Sequence, residues 1–208
     1  MRLAPDFREA LARFDLDELN RSRHTIVGLR PDCTIGFRNQ GWYRFASENG
    51  GSAEMADDWE PPRTLLDGIA PPVQGFYRGL FLRALEKGEP VYHFYVCPSP
   101  RLQRQFRLRV QPLDPGLLLV HQLVFEAPHH RPSCGPDLGP YLGPQGILTV
   151  CCHCRATRRA DAPDTWDWVP AVIERPRDDV SHGLCPLCFR HHYPELIESW
   201  DGRGERSA

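Results

Sequence analysis

Cys151-x-x-Cys154 and Cys185-x-x-Cys188 are two chelating pairs with 30 residues between them. A Cys-x-x-Cys turn aims two sulfurs at one ion, and two such turns complete a tetrahedral shell with Zn–S bonds near ~2.3 Å. The spacing therefore predicts a closed four-cysteine site for structural Zn2+, with Cys151, Cys154, Cys185 and Cys188 as ligands. An iron–sulfur centre, another redox metal or a metal-free thiol switch are the alternatives that the same residues leave open. Cys152 stands beside Cys151, so either thiol could serve in the first pair. His153, His182, His191 and His192 lie close in sequence, and any of them could replace a thiolate or hydrogen-bond to the shell from outside. The interval between the pairs is longer than the roughly 15–20 residues of a simple zinc ribbon, so structure of its own is expected there, a helix across 166–175.

Catalytic zinc requires an open coordination position and a general base. Neither His-Glu-x-x-His nor a deaminase His-x-Glu pattern occurs, and Gly-x-Ser-x-Gly, Walker and Rossmann patterns are missing too. No βαβ context precedes the cysteine pairs to make them thioredoxin-like. No catalytic residue is expected, and the competing enzymatic class is a zinc- or thiol-dependent redox protein with Cys152 as its reactive thiol. Cys97-Pro98 and Cys185-Pro186 resemble the Cys-Pro pairs of regulatory haem sites, which makes His93 and His121 candidate axial ligands.

The elements that must position these residues belong to a chain of 208 residues, enough for one large domain or two small ones. Hydrophobic residues make up 41% and charged residues 25%, a globular mixture that excludes disorder along the whole length. The 25 basic residues, of which only Lys87 is a lysine, face 27 acidic ones, so no polybasic field favours nucleic acid. Arg155, Arg158 and Arg159 sit on an acidic lobe and read as a solvated face. No membrane-spanning run occurs, and the start MRLAPDFREA lacks a signal peptide's apolar region, so a cytoplasmic location with reduced thiols is expected.

Residues 6–20 place Phe7, Leu11 and Phe14 on one stripe and predict an amphipathic helix with Asp6 as its cap. Runs 24–28 and 33–38 flank Arg30-Pro31-Asp32 and predict a hairpin. Trp42, Phe45 and Ala46 fall at helical spacing before Asn49-Gly50-Gly51. Residues 64–70 and 73–87 read as helices, and 90–97, 103–112 and 116–125 as three antiparallel strands. The expected fold class is therefore α+β, with five strands and flanking helices. The boundaries drawn from these patterns are 1–21 for the N-terminal helix, 22–126 for the sheet domain, 127–146 for a stiff proline- and glycine-rich linker, 147–200 for the cysteine-rich lobe and 201–208 for a flexible tail.

Asn39-Gln40-Gly41-Trp42-Tyr43-Arg44-Phe45-Ala46-Ser47-Glu48-Asn49-Gly50 resembles the Asn-x-x-Trp-x-x-Phe-Ala-x-x-Asn-Gly segment of one subgroup of PAS domains, the five-stranded sensor fold of bacterial signalling proteins. Tyr95-Val96-Cys97-Pro98-Ser99-Pro100, Arg104-Gln105-Phe106 and Val110-Gln111-Pro112-Leu113 are similar to that subgroup's strand pair, and His121 stands where its closing strand often has histidine. The resemblance covers about residues 22–126. Residues 147–194, with Trp166-x-Trp168, Ser181-His182-Gly183-Leu184-Cys185-Pro186-Leu187-Cys188 and Tyr193-Pro194, resemble the cysteine-rich appendix that follows PAS or receiver domains in bacterial sensors. Cys152 departs from that pattern. The resemblance implies a PAS-type sensory or interaction module with a zinc-binding appendix. Phe37, Trp42, Phe45, Tyr77, Phe94, Cys97 and His121 are its candidate sensor pocket, open to haem or another PAS ligand. It further implies output through a signalling partner such as a kinase or regulator, because no transmitter or DNA-binding element is recognised, and a homodimer paired through the 6–20 stripe.

Overall fold

The computed structural model describes residues 1–51, 64–69, 71–129, 134–175, 177 and 179–196. One compact unit comprises Met1–Tyr95 and Gln105–Val124, and a second comprises Val96–Arg104 and the chain from Phe125 onward. The first begins with β1 (Arg2–Leu3), α1 (Leu16–Arg21), β2 (Thr25–Leu29) and β3 (Ile35–Arg38). Two further helices follow, α2 (Gln40–Glu48) and α3 (Pro71–Lys87), and then β4 (Val91–Val96), β5 (Leu102–Leu113) and β6 (Gly116–Pro128). The strands lie in the order β1-β3-β2-β6-β5-β4. Five of them correspond to the expected five, and β1 is a sixth. It pairs Arg2 with Arg38 and Leu3 with Phe37, covering part of the β3 edge. Two residues are too few to show a period of two, so β1 leaves no pattern in the sequence.

Side chains alternate across the sheet and define two cores. On one face Val27, Leu29, Leu108, Val110, Leu117 and Leu119 pack with Leu80, Phe81 and Ala84 of α3. On the other, Ile26, Phe37 and Leu118 pack with Phe7, Ala10 and Leu11 of the N-terminal segment. That segment is not the single helix expected over 6–20. It makes two 3-10 turns, Pro5–Phe7 and Glu9–Leu11, before α1 starts. The reason is the seat of Phe7. A Cβ on Gly28 would lie 2.4 Å from its ring and one on Gly36 2.5 Å from it, so these two glycines form the notch it fills. Asp6 is no cap; its carboxylate pairs with Arg30 at 2.7 Å, and this contact holds its pKa below the usual carboxylate range. Asp15 caps α1 instead, accepting the N–H groups of Asp17 and Glu18. The apolar stripe of 6–20 thus faces the chain's own sheet.

The second unit is built from much shorter pieces: β7 (Leu148–Cys151), β8 (Thr157–Arg158), β9 (Trp166–Asp167), α4 (Pro170–Glu174), β10 (Val180–Gly183) and α5 (Pro186–His192). Its sheet runs β10-β7-β8-β9, with β10 parallel to β7 and the other pairs antiparallel. The helix expected across 166–175 is confined to 170–174. Pro170 opens it at N1, and proline holds the preceding residue extended, as Val169 is here, so 166–167 are free to pair with β8. Part of the proline-rich stretch expected as a linker contributes to this unit's core: Tyr141 is buried with Leu148, Val150, Val169 and Val172. Trp168, also buried, donates its indole N–H to Pro100 O at 2.8 Å and stacks on His129 with centroids 3.7 Å apart.

Back in the first unit, Asn39 ties three elements together through one buried amide. Its Oδ1 accepts the N–H groups of Ile26 in β2 and Trp42 in α2, at 2.9 and 3.0 Å. Its Nδ2 donates to Leu19 O of α1 and to His24 O. Gly41 allows this closeness, since a Cβ there would stand 2.2 Å from His24 O. Asn39→Ala leaves those donors and acceptors unmet inside the protein and is expected to cost about 3 kcal/mol of unfolding free energy. Asn39→Asp is expected to cost a similar amount, because a carboxylate oxygen would face two carbonyls; urea unfolding followed by circular dichroism measures both.

Candidate metal centre

Two short-range turns deliver the four cysteines. Cys151 ends β7, and its N–H donates to Ala156 O while Arg155 N–H donates back to Cys151 O, closing the loop that carries Cys154. Arg155 takes a left-handed φ of 64°, which returns the chain to extended geometry so that Thr157 can pair with Val150. Cys185 is the N-cap of α5, and Pro186 follows at the first helical position. Its Sγ accepts the N–H of Cys188 at 3.4 Å, and its own N–H donates to Cys151 Sγ at 3.4 Å. The parallel pairing of β10 with β7 aligns Gly183 with Cys151, bringing the second pair to the first.

All four sulfurs lie within 4.8 Å of one another, and Cys154 Sγ and Cys185 Sγ are 3.7 Å apart. Tetrahedral coordination with bonds of ~2.3 Å places its sulfurs about 3.8 Å apart. The donor set therefore fits a thiolate-preferring ion held by Cys151, Cys154, Cys185 and Cys188, all of them buried. Among the described residues this is the one group of cysteine, histidine or acidic side chains close enough together to hold a metal ion.

Without a cation the thiols of Cys151, Cys154 and Cys188 are pushed in opposite directions. The Cys154 thiol, and then the N–H groups of Cys185, Cys154 and His153, hold Cys151 down to about 4. Donation to Cys151 holds Cys154 in its protonated form, and burial pushes Cys188 up to about 12. A divalent cation removes that opposition, since each sulfur then faces positive charge as a thiolate.

The adjacent groups fall outside this cluster. Cys152 is exposed, its N–H bonded to Gly183 O. Partial burial, and then the charge of Cys151, push its thiol up, away from the low range of a reactive cysteine. His153 lies 3.3 Å from the Tyr193 hydroxyl and stacks on His192. His191 packs edge-on against His192, and His182 is exposed on β10.

The residues expected to line a sensor pocket do not share one face. Trp42 and Tyr77 pack against the core that contains α3, and Phe45 meets Phe106 edge-on at 5.8 Å. Phe37 belongs to the opposite core, and Phe94 is 65% exposed. Cys97 lies in the second unit. His121 bonds the Tyr95 hydroxyl through Nδ1 at 2.8 Å, while Tyr95 stacks between His93 and Phe106. Tyr95 was not among the expected pocket residues, although the alternation of β4 places it on the inner face. Burial holds His121 down to about 4 and lowers His93 and His24 as well. An unfolded histidine titrates near ~6.5, so this contribution to stability is complete above that pH and disappears as pH falls towards 4. His121→Gln is expected to lessen the stability lost between pH 6.5 and 4.5 by about 2 kcal/mol, read from denaturant midpoints at the two pH values.

No family model matches the chain, and no curated protein does. Among solved structures, a sensory box sensor histidine kinase from Vibrio cholerae is similar over 58% of this chain and 98% of its own, with 16% identity and a TM-score of 0.37. A likeness this slight carries no argument about what the chain does.

Proposed function

We propose that the chain is a cytoplasmic sensory or interaction module of bacterial signal transduction, with its C-terminal unit built around structural zinc and its output passed to a partner protein such as a kinase or regulator. The observation that carries the metal half is the closed set of four buried sulfurs. Zinc bound there supplies four bonds and no vacant position, the arrangement of sites that hold a fold together. Cys151 and Cys154 anchor the turn between β7 and β8, while Cys185 and Cys188 anchor the start of α5.

The sensory half rests on the resemblance of residues 22–126 to PAS domains. The Asn39–Gly50 segment that carries most of it forms the capped helix α2 beside the sheet, with Asn39 as the cap. Tyr95 of β4 and His121 of β6 give the inner face a polar centre. A ligand in the sheet domain would act by shifting the packing on that sheet, and a homodimer, which would need a surface other than the 6–20 stripe, is the assembly proposed for a partner to read.

Metal analysis of the untagged full chain, with its visible spectrum, tests the reading. About one zinc per chain and no visible band is the expected result. Cys185→Ser is expected to abolish zinc retention and expose the remaining thiols to alkylation, while Cys152→Ser leaves both unchanged. Iron with a visible chromophore, or a folded metal-free chain, overturns the zinc assignment. Light scattering on the same sample is expected to give twice the chain mass, and a monomeric mass overturns the homodimer.

A further inference from the structure

A groove of about 260 Å³ opens in the second unit. Its walls are the aliphatic side chains of Val96, Val150, Val172, Ile173 and Val180, with Cys97 and Pro98 at one side. Two arginines, Arg155 and Arg177, complete the lining, and among the described residues no acidic side chain takes part in it. We infer that this groove binds a small aliphatic carboxylate, its tail against the valines and its head on Arg155.

The two arginines are not equivalent. Arg177 already donates to both carboxylate oxygens of its neighbour Asp179. Arg155 is half-buried, and its guanidinium has no hydrogen-bond or ion-pair partner among the described residues. It also occupies a left-handed backbone position with φ 64°. A side chain there costs roughly 1–2 kcal/mol that glycine would avoid. The turn tolerates that strain at a position where the residue brings a cation to an apolar groove, as strained residues at binding sites do. A guanidinium fork matches a carboxylate, making two parallel charge-assisted bonds.

Size restricts the ligand further. A half-open groove of about 260 Å³ suits a short-chain carboxylate, for which hexanoate serves as the probe. Among the described residues the lining contains no aromatic ring to stack on a flat ligand. The Cys97 thiol, which burial pushes up ahead of the opposing effect of Arg104 and Arg155, forms part of the wall and reacts with a maleimide slowly, at a rate that access through the groove controls. It therefore serves as a reporter. This site goes beyond the sensory reading and does not depend on which metal the cysteines hold.

The full chain as purified, titrated with hexanoate by calorimetry, is expected to bind one equivalent. Hexan-1-ol, which has the tail without the charge, and acetate, which has the charge without the tail, are each expected to bind at least ~10-fold more weakly. Saturating hexanoate is expected to slow N-ethylmaleimide labelling of Cys97, followed by peptide mapping, and to leave Cys152 unaffected. Arg155→Gln should weaken hexanoate at least ~10-fold, Arg155→Lys should recover part of the loss, and Ile173→Trp should fill the groove and remove binding. No heat with hexanoate, equal affinity for hexan-1-ol, or unchanged Cys97 labelling each overturns the assignment. The wild-type ligand series and the Cys97 reporter decide it even where a variant fails to fold.

Discussion

Four buried sulfurs within 4.8 Å of one another are the constraint on which the second unit depends. Its strands are two to four residues long and its helices five and seven. Elements of that length do not persist alone, because neither a single helical turn nor a two-residue ladder offsets the entropy of ordering it. Drawing the β7–β8 turn and the start of α5 to one point fixes both ends of the chain between them. The same residues explain why the short parallel pairing of β10 with β7 holds: Cys152 N–H donates to Gly183 O immediately beside the cluster.

The first unit reaches stability by the opposite route. Its sheet is long enough to carry a core on each face, and the critical contacts are steric and polar instead of a cluster of thiols. Phe7 closes one face only because Gly28 and Gly36 lack side chains where its ring sits. Asn39 closes the other junction by meeting donors and acceptors from α1, β2 and α2 with a single amide. A buried amide that is fully satisfied specifies one arrangement of its neighbours, since any other leaves a polar group unmet. This gives the Asn at the head of the Asn39–Gly50 segment a physical task in the fold.

The cysteine set was legible in the sequence because its geometry is local. Each Cys-x-x-Cys fixes its own turn, and the preference for Cys151 over Cys152 followed only when the β7 register was known. Strands β2 to β6 and helices α2 and α3 were legible for the same reason, their periods being set by side chains a few residues apart. Other features depend on distant partners. The 6–20 stripe has helical spacing, yet two glycines some twenty to thirty residues later decide how Phe7 is seated. Phe37 and Phe94 look like pocket residues by type, but their parity along the strands sends them away from the face that carries Trp42 and Tyr77. The groove combines residues from 96 to 180, so no window of sequence contains it.

A metal held by all four thiolates would have no position left for a substrate, so chemistry or recognition in this unit would have to use other residues. The groove uses the same framework without using the ligands. Val150 directly precedes Cys151, Arg155 directly follows Cys154, and Val180 opens the strand that leads to Cys185. Whatever orders β7, β10 and the turn between Cys151 and Ala156 therefore orders the walls of the groove and the cation at its rim. A metal that favours this ordered arrangement favours a ligand bound to it, and the coupling is reciprocal by thermodynamic necessity. In such a design the task of a bound metal would be preorganisation: it would keep an arginine in a conformation the backbone disfavours, so that an incoming anion would not bear the cost of arranging it.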